Sequence, residues 1–205
     1  MDYTAAVNVL KQADPILAQL IERIGPCQLH QRRQTGNLLD CLSRTIVYQQ
    51  LSTKAASTIH RRFLALYPGQ SGPSAQELLD TPDDVLRSAG ISRSKATYLK
   101  DLAQKVLDGL PALETLATME NEAIIQVLTQ VKGIGTWSAQ MVLIFRLDRL
   151  DVLAVDDMGL RSAVRMLYDL EQLPDKKRFK QIGEKWQPYG AIASWYLWRS
   201  LDFKS

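Results

Sequence analysis

Apolar residues stand three and four places apart along almost the whole chain, and that spacing leaves little room for anything but helices. It is clear in "PILAQLIERIG", "LLDCLSRTIVYQQL", "STKAASTIHRRFLALY" and "SRSKATYLKDLAQKVLDGL". It continues through "ENEAIIQVLTQV", "TWSAQMVLIFRL", "DDMGLRSAVRMLY" and "YGAIASWYLWRSL". The every-second-residue alternation of a half-buried strand is missing. The fold expected is all-α, with about ten helices of roughly 8 to 15 residues joined by short turns. Punctuation agrees. Ser92, Thr81 before Pro82, and Asp156 are types that open helices, while Gly69, Gly90 and Gly109 are types that close them. "YPGQSGPSAQ" is the most loop-like stretch, and no linker clearly divides the chain.

With 46% hydrophobic and 23% charged residues, a packed core is within reach and disorder over most of the 205 residues is excluded. That length suits one domain or two small lobes. A net charge of +3 and a pI near 8.8 lean basic, a weak pointer to a polyanionic partner. Cys27 and Cys41 lack metal-ligand spacing; they read as reduced thiols, with a disulfide as the alternative. The N-terminal stretch carries an acid at position 2 and has no uninterrupted apolar run, so neither signal peptide nor membrane span is expected. The expected setting is intracellular, in cytoplasm and nucleoid, or in the nucleus of a eukaryote.

One turn stands out. "AIIQVLTQVKGIG" is a helix running into Gly133-Ile134-Gly135, and Thr136 is placed to cap the next helix. Glycines allow positive φ and remove Cβ atoms, so backbone N–H groups can approach a phosphate at the positive end of a helix. A bare G-x-G equally suits a tight αα-corner with Ile134 packed inward. Lys132 beside the glycines can add a cation, and Trp137 opens the second helix, facing either a cleft or the core.

About 20 residues later, "DVLAVDDMGLRSAVRMLY" sets an apolar run before Asp156-Asp157 and an amphipathic helix. Taken alone, the acids read as a cap and a solvated first-turn residue. A cap needs only one of them. The other could serve as a fixed anion where positive charge develops, as when a sugar–base bond breaks through an oxocarbenium-like state.

The ordered set "VYQQLSTKAA", "AGISRSKATYL", "LTQVKGIGTWSA", "VLAVDDMGLR" and "WQPYGAIASWYLWR", spanning residues 37 to 200, resembles the helix-hairpin-helix (HhH-GPD) DNA glycosylase superfamily, in its 3-methyladenine DNA glycosylase II (AlkA-like) branch. The resemblance implies a two-lobed helical fold with a cleft between the lobes, base flipping, and hydrolysis of the N-glycosidic bond of alkylated purines in double-stranded DNA. The lobes implied are 37–145, ending in the helix-hairpin-helix, and 1–36 with 146–205. The catalytic acid of the family falls on Asp157, leaving Asp156 as the cap or a supporting acid. The proline often found just before these acids is replaced by Ala154 and Val155. Bifunctional relatives carry a nucleophilic lysine where this chain has Trp137, and an indole cannot form a Schiff base; no lyase activity is expected. The four C-terminal cysteines with which many of those relatives hold an iron–sulfur cluster are absent.

The same resemblance implies no catalytic cofactor, but a monovalent cation, Na+ or K+, on the carbonyls of Thr129, Val131 and Ile134. It makes Trp137 and Trp198 the better candidates for walls of the base pocket, with Tyr48 a third, and each of these, like Trp195, reads equally as core. The hairpin residues Lys132, Gly133, Gly135 and Thr136 would hold DNA, and Gln50 or Leu51, at the turn in "YQQLS", would fill the gap left by the flipped base. Arg93 and Lys95 read as a solvated helix start, with phosphate contact as the alternative. His30 and His60 read as surface histidines. A monomer is expected, acting on 3-methyladenine and, as the further substrate, 7-methylguanine. The rival readings are a non-catalytic module holding DNA through the hairpin, and a bifunctional glycosylase and lyase.

Overall fold

The protein is described by a computed structural model covering residues 2–68 and 72–204; Gly69 lies outside the described residues. Among the described residues the chain is all-helical. The α-helices are α1 Thr4–Ala13, α2 Pro15–Ile24, α3 Leu38–Tyr48, α4 Thr53–Leu64, α5 Ala75–Asp80, α6 Asp83–Ser88, α7 Arg93–Leu107, α8 Leu113–Leu116, α9 Asn121–Leu128, α10 Thr136–Phe145, α11 Met158–Leu167, α12 Lys176–Gly183 and α13 Gly190–Ser200, with 3₁₀ turns at Leu29–Arg32, Glu184–Trp186 and Leu201–Lys204. The described residues form thirteen helices where about ten were expected, the N-terminal α1 and the short α8 being ones the apolar spacing had not singled out. Pro82 forces Thr81 into extended backbone and so separates α5 from α6, as the helix-start signal at Thr81-Pro82 implied. None of the described helices is long and apolar enough to cross a membrane.

Several helix starts are capped by side chains. Ser92 accepts the Lys95 amide at the head of α7, and Gly90 and Gly109 close the helices before them. Asn37 and Asp40 form a reciprocal capping box on α3, and Ser74 and Glu77 form another on α5.

Two compact units result, Met1–Arg33 with Leu143–Ser205, and Gln34–Val142. In the first, α1 and α2 pack together and α13 packs on α2 and α11. Helix α13 is buried from Gly190 through Leu197, as a helix stretch with apolar residues on every face requires. Leu10, Leu17, Phe179, Trp186 and Tyr196 complete this core. In the second unit, α3 and α5 flank α7, around Leu42, Ile46, Phe63, Leu78, Leu99 and Leu102. Each such side chain contributes roughly 1.5–3 kcal/mol by leaving water.

One carboxylate is sealed inside the first unit. Asp14 is fully buried and caps α2, where its Oδ1 accepts the amides of Ile16 and Leu17 at 3.0 and 3.2 Å. Its Oδ2 accepts Trp186 Nε1 at 2.7 Å and the Tyr168 hydroxyl, and pairs with Lys185 at 3.1 Å. Burial alone would raise its pKa; the donors from Tyr168, Trp186, Leu17 and Lys185 outweigh that and hold it below the usual carboxylate range. Cys27 and Cys41 are both buried and not joined by a disulfide, which removes that alternative, and burial pushes the Cys27 thiol up to about 11.

Candidate active site

The acid-bearing loop turns tightly before α11: the amide of Val155 reaches the carbonyl of Leu153 at 2.9 Å, and that of Asp157 reaches Ala154 at 3.0 Å. These turns form without a proline and set Asp157 as the N-cap of α11, its Oδ1 accepting the Leu160 amide at 2.7 Å. The sequence reading left Asp156 as the cap or a supporting acid and put the helix start there. The structure corrects this: Asp156 instead pairs with Lys176. Asp157 therefore does both jobs at once, ending the helix and presenting a carboxylate at its positive pole.

A second donor reaches the same oxygen. Trp198, on α13, places Nε1 3.2 Å from Asp157 Oδ1, and its ring stacks on Phe145 at 5.7 Å between centroids and 30° between planes. Both Asp157 and Trp198 are half-buried. Gly159 makes room for the arrangement, since a Cβ there would stand 3.0 Å from Asp157 Oδ1 and 3.8 Å from Trp198 Cδ1. The role of Gly159 was missed from sequence, where the only signal was a glycine in the first turn of an otherwise good helix. Trp195, in contrast, is 4% exposed and belongs to the core, edge-on to Tyr196.

In the other unit, α9 ends in a series of short-range backbone bonds, and Ile134 N donates to the Val131 carbonyl at 3.0 Å to close the hairpin. Gly133 has φ +81°, and the Tyr98 ring occupies the space its Cβ would need, so glycine is required there twice over. At Gly135 an added Cβ would meet nothing, and the backbone there lies open. Ile134 is buried, as the αα-corner reading expected, and so is Val131. Thr136 is the first residue of α10 and not its cap. Trp137, 40% exposed, is not core. Lys132 gives its amide to Asp101 Oδ2 at 2.8 Å and sets its ammonium 3.2 Å from Oδ1 of the same residue.

The turn between α3 and α4 carries Gln50 at φ +55° and Leu51, 39% exposed. Gln49 Nε2 donates to the Gly133 carbonyl at 2.7 Å. Lys95 does not sit in a solvated helix start as expected: its half-buried ammonium donates to the carbonyls of Val47 and Gln49 at 2.8 and 2.9 Å. Burial lowers the Lys95 pKa. Tyr48 has one face taken by the Arg44 guanidinium, 4.2 Å from the ring centre, and His60 against its edge. His60 is thus half-buried and not a surface residue; burial first, then the nearby Arg44 charge, lowers its pKa. His30 is exposed, as expected.

The hairpin and the capped acid can be weighed against known proteins. A family model for HhH-GPD superfamily base excision DNA repair proteins matches residues 43–188. The chain belongs to this superfamily. DNA-3-methyladenine glycosylase 1 of Schizosaccharomyces pombe is 33% identical over 198 residues, which span 96% of this chain and 87% of that protein. A solved 3-methyladenine DNA glycosylase of the same yeast, in complex with abasic DNA, matches this HhH-GPD chain with TM-score 0.89 at 32% identity, over 97% of each. A DNA-3-methyladenine glycosidase from Bacillus halodurans matches with TM-score 0.85 at 35% identity, over 98% of this chain and 91% of that one. Within the HhH-GPD superfamily the chain falls in the 3-methyladenine glycosylase branch.

Proposed function

We propose that this protein is a monofunctional DNA glycosylase that flips alkylated purines out of double-stranded DNA and hydrolyses their N-glycosidic bond, with 3-methyladenine as the principal substrate and 7-methylguanine as a further one. The observation that carries the reading is the Asp157 carboxylate, held at a helix N-terminus by the Leu160 amide and the Trp198 indole.

Alkylation at N3 or N7 leaves the purine cationic, so the bonding pair that leaves C1′ neutralises the departing base and no strong general acid is needed. Positive charge then develops on the sugar. A carboxylate whose orientation is fixed beforehand stabilises that charge without reorganising. It also orients the attacking water and takes its proton as the new C1′–O bond forms. The electron-rich ring of Trp198, in the same unit as Asp157, favours a cationic base over a neutral one. Trp137 cannot attack the sugar as an amine would, so the abasic strand stays uncut.

The carbonyls of Thr129, Val131 and Ile134 are uncharged, hard oxygens on one turn, a donor set that fits Na+ or K+. The Val131 oxygen gives one lone pair to Ile134 N–H and retains another. When bound, such an ion would supply positive charge for a DNA phosphate. The protein would act as a monomer on DNA inside the cell.

The test is incubation with a panel of alkylated duplexes, the released bases being identified by mass spectrometry. Free 3-methyladenine is expected, with Asp157→Asn abolishing release while DNA binding persists. Asparagine caps helices as well as aspartate does, so lost chemistry is separable from lost folding. Absence of release from every alkylated duplex would overturn the reading.

A further inference from the structure

The turn at Gln49–Ser52 and the glycine hairpin lie more than 80 residues apart in sequence, yet one side of α7 holds both. Lys95, Tyr98 and Asp101 recur every three residues, which places them along one stripe of the helix. Lys95 binds two carbonyls at the end of α3, Tyr98 fills the space beside Gly133, and Asp101 takes the amide and ammonium of Lys132. Gln49 then closes the arrangement directly, its side-chain amide bonded to the Gly133 carbonyl.

Gln50 needs such support. A non-glycine residue at φ +55° holds its conformation only where the surroundings over-determine it. Here the carbonyl just before it is bonded to Lys95, and the Gln49 side chain is tied to the hairpin. Two half-buried polar side chains thus help to fix the direction in which Gln50 and Leu51 project. With two of its three N–H donors on backbone carbonyls, the Lys95 ammonium has at most one left for a phosphate.

We propose that Lys95 and Gln49 are positioning residues that fasten the Gln50–Leu51 turn to the glycine hairpin, so that gripping the DNA backbone and filling the gap in the base stack occur as one rigid action. This rests on the glycosylase reading above. The clamp contributes where a paired, stacked base has to be displaced, and contributes little where the base is already unpaired, because the displacement is then largely done.

The experiment measures single-turnover release of 3-methyladenine from two substrates, a fully paired duplex and a duplex with the same lesion unpaired in a bulge. Lys95→Met and Gln49→Ala are compared with the unmodified protein, and circular dichroism checks folding. On the paired duplex each variant is expected to be about tenfold slower, the scale set by small misplacements. On the bulge the loss should be under about twofold. Lys95→Arg, which can still donate to both carbonyls, should regain at least half of the rate. Combining Lys95→Met with Gln49→Ala should give less than the product of the two losses, since both act on one turn. Equal losses on both substrates, or no loss on either, overturns the proposal. Failure of the unmodified protein to release base from either substrate would instead strike the glycosylase reading, so the two failures are told apart.

Discussion

Trp198 and the Leu160 amide meet on a single oxygen of Asp157, the indole from 3.2 Å and the amide from 2.7 Å. The cap is a local consequence of sequence; the indole arrives from a helix 41 residues further on. Trp198→Phe separates them, keeping a ring against Phe145 while deleting the N–H. A hydrogen bond to a charged group is worth about 1.5–3 kcal/mol, so single-turnover base release should fall roughly 10- to 100-fold at a temperature where the variant is folded, with the melting temperature lowered by no more than about 12 °C. An undiminished rate would show that the indole does not orient the acid.

Gly159→Ala sets stability against activity. Alanine is favoured over glycine in a helix by up to about 1 kcal/mol, yet its Cβ would press on Asp157 Oδ1 from 3.0 Å. Thermal unfolding should show a stability held or raised, while base release slows by about tenfold. A variant as fast as the original protein would mean that the carboxylate tolerates displacement.

Asp14→Asn probes the sealed carboxylate. Removing the charge leaves Lys185, Tyr168 and Trp186 with a poorer acceptor, and breaking such a buried arrangement costs about 3 kcal/mol or more. Urea unfolding should read that loss directly. The folded-state pKa of Asp14 is depressed, so its contribution is complete above the ordinary carboxylate range and disappears as pH falls through the folded value. The variant should therefore show a shallower acid decline than the original.

His60 gives the opposite kind of group, a base whose folded pKa is lowered. Below about pH 6.5 the unfolded chain binds the proton more readily, so stability declines as pH drops from that value toward the folded one, and is intact above it. Between pH 7.5 and 5.5 the original protein should lose more stability than His60→Gln. The excess slope cannot pass about 1.4 kcal/mol per pH unit, the limit for one proton. Parallel unfolding curves for the two proteins would rule out the titration.

The helical class was legible because burial of one helix face writes itself into apolar spacing, and the Ser92 cap and the glycine stops were legible as local chemistry. Asp157 was found through resemblance, but its double duty was not: which of two adjacent acids caps α11 depends on the turn at Ala154, and Lys176, which occupies Asp156, lies 20 residues away. Lys95 was misread for the same reason. A lysine beside a helix start carries no mark in the sequence saying that two carbonyls nearly 50 residues earlier will meet it. Pairings across long separations are decided by packing, and a single sequence does not record them.

Asp14 finds its hydroxyl and indole donors 154 and 172 residues downstream. On a ribosome, then, the unit bearing Asp157 stays unfinished until Trp186 has emerged, and Trp198 follows later still, whereas every residue of the hairpin unit has been made by Val142. A message cut short between these points would encode every residue of the hairpin unit but leave Asp14 without the Trp186 indole. Synthesis from one end thus completes the glycine hairpin first and the surroundings of Asp157 last.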